Sequence, residues 1–147
     1  MAGLVISLKP NEKFLVNGAM LSNGPKRGQI CITDDNVHVL RMSDAIHPDD
    51  VDTPVKRVYY SAQIVLSGDA TAELMDQKIQ NGLSGLIDVF ADTPLVKSLE
   101  KAKSAAALGR YYSVLCALKP LIAIEEDLLA RPVPQFSGDA MLPAMSA

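Results

Sequence analysis

Apolar and polar positions alternate along the front of the chain. Leu4, Ile6 and Leu8 fall on one side of a run whose other side holds Val5, Ser7 and Lys9. Successive side chains of a strand point to opposite faces, so this spacing predicts a short β-strand. Pro10-Asn11 breaks the run, and a second one extends from Phe14 to Leu21. Asn17-Gly18 lies inside it and predicts either a bulge or a tight turn. Ser22-Asn23-Gly24-Pro25 is the clearest turn, because Asn and Gly tolerate positive φ and Pro cannot continue a central strand. A third run covers Gln29 to Thr33, and Asp34-Asp35-Asn36 separates it from a fourth over Val37 to Met42. Short runs with turns at close spacing predict a small antiparallel meander or open barrel.

The period changes after residue 42. Residues 43–52 are polar and acidic and read as a loop. Thr53-Pro54 has the form of a helix start, with Thr as the cap and Pro at the first helical position. Val55, Val58, Tyr59, Ala62, Val65 and Leu66 then recur at helical spacing, although the β-branched residues and tyrosines also suit a strand. Ser67-Gly68-Asp69 closes this element. A second helix is predicted from about Ala70 to Ala91, with Met75, Ile79, Leu83, Leu86 and Phe90 as its apolar stripe. Gly82 and Gly85 each cost such a helix about 1 kcal/mol relative to Ala, and they permit close packing against a neighbour. A third helix spans Leu95 to Leu108. A fourth starts near Arg110, carries Pro120 as an expected kink or split, and stops at Arg131-Pro132. Residues 132–147 lack periodicity and are expected to form a flexible tail. The predicted fold class is α+β: a β-rich part over 1–42, an acidic loop over 43–52 and a bundle of about four helices over 53–131, making one compact unit.

Composition narrows the function classes. The chain has 147 residues, 48% of them apolar, and a net charge of −3. That is enough apolar content for a core without disulfides or metals. Residues 1–67 hold seven Lys/Arg and seven Asp/Glu, whereas 68–147 hold seven and ten. The front half is therefore the better candidate to meet a polyanion. Cys31 and Cys116 are expected to be buried free thiols. Residues 1–20 do not form a signal peptide, and no apolar run is long enough to span a membrane. A cytoplasmic location is expected.

Catalytic signatures are missing from the sequence. Glycine-rich phosphate loops, HExxH and CxxC do not occur. His38 reads as an ordinary strand side chain and His47 as a capping or solvated residue. Asp49, Asp50 and Asp52 lack the spacing and glycine of a calcium loop. No metal, cofactor or enzymatic activity is expected. The cations are more suggestive: Lys26 and Arg27 sit beside a turn, Arg41 ends a strand, and Lys56-Arg57 open a helix just before Tyr59-Tyr60. A guanidinium bridges phosphates and a tyrosine ring stacks on an unpaired base, the combination used to read single-stranded RNA. The plainer alternative is that the charges are solvated and Tyr59 belongs to the core.

Ordered segments of the chain resemble one family. Leu8-Lys9-Pro10-Asn11-Glu12-Lys13-Phe14-Leu15-Val16-Asn17-Gly18-Ala19, then Asn23-Gly24 and Arg27, are similar to the opening of FlbT-type flagellum biosynthesis repressors. Val39-Leu40-Arg41-Met42-Ser43-Asp44-Ala45-Ile46 resembles their LRxxDI stretch. Thr53-Pro54-Val55-Lys56-Arg57-Val58-Tyr59-Tyr60 with Gln63 resembles TPxxRxYY, and Tyr111-Tyr112 with Leu115 fits the helical region. The resemblance covers roughly residues 4–130. It implies post-transcriptional control of flagellin through binding of the mRNA's untranslated leader and promotion of its decay. It also implies a small FlaF-type partner. On this reading Lys26, Arg27, Arg41, Lys56, Arg57 and Tyr60 form the RNA surface, and the helical half carries partner binding or a homo-oligomer contact. A competing reading is a flagellin-binding chaperone or adaptor that acts on the message indirectly.

Overall fold

The computed structural model describes residues 4–34 and 37–130. Two expectations lie outside those residues: part of the turn at Asp34-Asp35-Asn36, and the tail over 132–147.

Five antiparallel strands come first: β1 (Leu4–Leu8), β2 (Lys13–Val16), β3 (Ala19–Ser22), β4 (Gly28–Ile32) and β5 (Val39–Arg41). The long second run splits because Asn17 (φ 49°) and Gly18 (φ 85°) both adopt the left-handed conformation. That pair gives a two-residue hairpin turn whose twist matches the flanking strands, so Val16 pairs with Ala19 and Phe14 with Leu21. Asn17-Gly18 is thus a turn and not a bulge. On its other edge β2 pairs with β5, while β1 pairs with β4 to make a second, two-stranded sheet.

Between β5 and the first helix, the acidic loop contains two single 3₁₀ turns, Met42–Asp44 and Pro48–Asp50. His47 caps the second turn, its Nδ1 accepting from the Asp49 N–H at 3.1 Å. Four helices follow: α1 (Pro54–Ser67), α2 (Ala72–Val89), α3 (Val96–Ala107) and α4 (Tyr111–Ala130). Thr53 caps α1 by accepting from the Lys56 N–H, and Thr71 caps α2 by accepting from the Leu74 N–H, both at 3.2 Å. Each satisfies a donor that has no partner within its helix. The start of α1 gains a further acceptor from α4: the Val55 N–H donates to Glu125 Oε2 at 3.3 Å. Lys56 bridges Asp52 at 3.3 Å and Glu126 at 2.8 Å beside it. The end of α4 is thereby fixed against the first turn of α1.

Three expectations are corrected. Pro120 does not split its element; it sits on the exposed side of an uninterrupted α4. The helix tolerates it because Val114, Leu115, Leu118 and Leu121 are held in the core on both sides of it. Cys31 and Cys116 are free thiols, as expected, but both are exposed. Cys31 faces outward opposite Val5 on the β1–β4 pair, and Cys116 opens onto a cleft beside Arg41 and Asp44.

The core has two parts. The larger joins all four helices with Leu40 of β5. The smaller holds Ile6, Leu8, Phe14 and Val39 between the sheets. Tyr112 packs against both. Tyr59 is a core residue, 1% exposed. The helix pair α1–α2 is close because Gly82 has no side chain: a Cβ there would lie 2.6 Å from Val58 Cγ2. Gly85 meets no such neighbour, with nothing described within 4 Å of its would-be Cβ. Gly82→Ala should therefore destabilise the protein by about 1–3 kcal/mol through overpacking, while Gly85→Ala should stabilise it by up to about 1 kcal/mol. Urea unfolding of the two variants measures both; equal shifts in one direction would contradict the packing argument.

Candidate functional site

The joint between sheets and helices is polar. Glu12, just before β2, accepts from Arg41 on the neighbouring β5 through two parallel bonds, Nε to Oε2 at 2.9 Å and Nη2 to Oε1 at 3.2 Å. This is the bidentate geometry that suits a guanidinium and a carboxylate. The Ser43 hydroxyl donates to Glu12 at 2.7 Å and the Lys9 N–H donates at 2.8 Å. Arg41 and these further donors hold the Glu12 carboxyl down at about 2, against an ordinary value of 4.5. The Arg41 guanidinium is correspondingly held above its usual range, with Glu12 as the main cause.

Asp44 continues the joint one turn later. Its carboxylate is buried and forms an ion pair with Lys119 of α4. The Tyr112 hydroxyl approaches the same carboxylate at 3.4 Å, and the Tyr59 hydroxyl donates to the Asp44 carbonyl. Burial raises both phenols, Tyr112 to about 12, so each remains a donor at neutral pH. Gln63 clamps the next residues: its amide donates to the Ile46 carbonyl at 3.0 Å and its carbonyl accepts from the Ile46 N–H at 2.8 Å. Arg41, Asp44, Tyr112, Cys116 and Lys119 line an open cleft of about 360 Å³. Burial pushes the Cys116 thiol up, away from the reactive thiolate. Among the described residues, no cluster of three or more His, Cys, Asp or Glu could hold a metal ion.

The six candidate RNA-binding residues separate into three groups. Lys26 and Arg27 are exposed on the β3–β4 turn. The Asn23 amide secures that turn, donating to the Lys9 carbonyl at 2.8 Å and the Lys26 carbonyl at 2.9 Å. Arg57 is exposed on α1, and Tyr60 is half-buried on the same helix. Arg41 and Lys56 are already committed, the first to Glu12 and the second to Asp52 and Glu126. Their charges are offset locally, which leaves them little to offer a phosphate. Lys119, with more than half of its side chain exposed beside the cleft, was not singled out by sequence reasoning. Glu12 and Asp44 carry no local signal of their roles, since Asp44 lies in an acidic segment and each finds its cationic partner on a distant element.

The residues that form this joint are those on which the family resemblance rests. The family model described as flagellar protein FlbT matches residues 4–129. The chain belongs to the FlbT family. It is 29% identical over 126 residues to the flagellum biosynthesis repressor protein FlbT of Caulobacter vibrioides, covering 86% of this chain and 89% of that one. It is 30% identical over 125 residues to a probable flagellum biosynthesis repressor FlbT of Chelativorans sp., covering 85% of each. A similar protein of Mesorhizobium japonicum is 30% identical over 126 residues, with 86% and 84% covered. No solved structure matches. Among the described residues, no helix is long and apolar enough to cross a membrane.

The depressed Glu12 carboxyl has a stability consequence. A group whose folded value lies below its unfolded one contributes stability above the unfolded value, and that contribution is lost as pH falls. For Glu12 the loss should run from about 4.5 down to about 2. Glu12→Gln should cost about 1.5–3 kcal/mol at neutral pH, the range for hydrogen bonds to charged groups. The difference from wild type should shrink across that acid window. Denaturant midpoints measured from pH 7 to pH 2 test this; a constant difference would exclude the Glu12–Arg41 pair as its source.

Proposed function

We propose that this FlbT-family chain regulates flagellum biosynthesis by binding the untranslated leader of a flagellin mRNA and promoting that message's decay. The names of its relatives support the regulatory part. The observation that carries the RNA part is the exposed pair Lys26-Arg27 on a turn braced by Asn23, with no ion-pair partner for either cation among the described residues. Cations that are uncompensated and pre-positioned are the ones able to release counterions from a phosphate backbone. Arg57 adds a third such charge, and the half-buried Tyr60 offers a partial stacking face. Arg41 then acts as a positioning residue, because its guanidinium fixes β5 to Glu12. Lys56 likewise ties α1 to α4.

A flagellin-binding chaperone or adaptor is the second reading. It is favoured by exposed large apolar side chains, including Leu74, Val89 and Leu108 at 75%, 74% and 68%. Binding to a labelled flagellin leader RNA at a series of salt concentrations, with flagellin tested in parallel, separates the two. Lys26→Ala and Arg27→Ala should each weaken binding and flatten the log-log salt slope by about 0.7, the single-strand value per phosphate contact. Arg41→Ala should lower stability more than it changes the slope. Firm, salt-insensitive flagellin binding without RNA binding would replace the first reading by the second.

A further inference from the structure

Strand β3 is an edge of the three-stranded sheet, and all four of its residues are exposed. Ladder geometry fixes which of its backbone groups point outward. The Asn23 N–H donates to the Glu12 carbonyl at 2.8 Å, so these two residues form a hydrogen-bonded pair. Bonded and non-bonded pairs alternate along an antiparallel ladder. Leu21–Phe14 and Ala19–Val16 are therefore bonded pairs, whereas Met20 and Ser22 turn their N–H and carbonyl groups away from β2. The bond from the Asn17 N–H to the His38 carbonyl, on the other side of β2, obeys the same alternation. Among the described residues, no backbone group pairs with the outward groups of Met20 and Ser22. Exposed edges are commonly blunted by charged residues, Pro or a bulge. Ala19-Met20-Leu21-Ser22 has none of these, and its register with β2 is continuous. It instead carries Met20 and Leu21, 55% and 41% exposed, on opposite faces.

We propose that β3 of one copy pairs antiparallel with β3 of a second copy, about a twofold axis through Leu21. In this register Met20 of each copy faces Ser22 of the other. Their outward N–H and carbonyl groups then satisfy one another, four bonds in all, with no group left over. Leu21 meets its own counterpart as a non-bonded pair, the kind whose Cα atoms lie about 4.5 Å apart and whose side chains come closest. Leu21 shares a sheet face with Phe14, its partner across the ladder, and Phe14 is buried between the sheets. The apolar row that ends exposed at Leu21 thus continues through the second Leu21 to a second Phe14. The strand carries no charge, so the twofold brings no like charges together within it. A foreign strand would have to supply this match, whereas a second β3 has it by symmetry. The contact is small beside the roughly 1,200–2,000 Å² of stable complexes, so the association is concentration-dependent. The turns carrying Lys26 and Arg27 follow β3 and lie at opposite ends of the paired strands. The pairing stands whether or not those turns meet RNA.

Sedimentation velocity over a concentration series should show a monomer–dimer equilibrium for the full chain. Leu21→Lys sets two cations against each other on the axis. Ser22→Pro removes two of the four intermolecular bonds and leaves the bonds to β2 in place. Each should raise the dimer dissociation constant about tenfold or more. Cross-linking reads the position of the contact, because a non-bonded cross-strand pair has the Cα spacing of a disulfide. In a chain carrying Cys31→Ser and Cys116→Ser, Leu21→Cys should give a disulfide-linked dimer on air oxidation. Lys13→Cys, exposed on β2 but one strand in from the edge, should not. A chain that stays monomeric throughout, a dimer indifferent to both Leu21→Lys and Ser22→Pro, or a dimer that Leu21→Cys does not cross-link would overturn the proposal.

Discussion

Everything in this fold passes through a polar joint of a few residues between β5 and α1. The helices form one apolar cluster and the sheets another, and Tyr112 is the apolar bridge between them. The chain must cross from one to the other through an acidic segment, which brings backbone groups and carboxylates close to buried surface. Buried polar groups are tolerated only when bonded. The joint meets this condition: Arg41 holds Glu12, Lys119 and Tyr112 hold the Asp44 carboxylate, Tyr59 holds its carbonyl, and Gln63 satisfies both backbone groups of Ile46. The register between sheets and helices follows from these directional contacts, since apolar packing alone discriminates weakly between sliding positions.

The segments around Glu12, Arg41 to Ile46, and Tyr59 to Gln63, on which the resemblance to the FlbT family was read, all lie within the matched residues 4–129. Each contributes to the joint or to a turn leading into it. Asn11, at φ 60°, donates its N–H to the Gly24 carbonyl at 2.8 Å. Asn17 both donates to and accepts from the His38 backbone. In this chain those residues hold the scaffold together. Lys26, Arg27, Arg57 and Lys78 have no ion-pair partner in this scaffold among the described residues, whereas Lys119 is held by Asp44.

The same physics divides the cations by role. A guanidinium with two oriented bonds to a carboxylate gains little from a phosphate, since exchanging partners costs the existing bonds. Arg27 and Arg57 have no such bonds among the described residues. Residue type alone does not distinguish Arg41, held by Glu12, from Arg57, which is exposed on α1.

Sequence by itself determined the element types and most of their limits. Alternation in residues 4–8 and helical spacing after Pro54 are consequences of local geometry, and caps such as Thr53 and turns such as Asn17-Gly18 act over a few residues. The α+β class was legible for the same reason. Tertiary structure alone decided the pairing of β1 with β4, the continuity of α4 through Pro120 and the exposure of both cysteines. It also decided the neutralisation of Arg41 and Lys56. Those outcomes turn on partners far along the chain, as between Arg41 and Glu12, 29 residues apart. A local pattern carries no record of which distant charge or surface will arrive beside it.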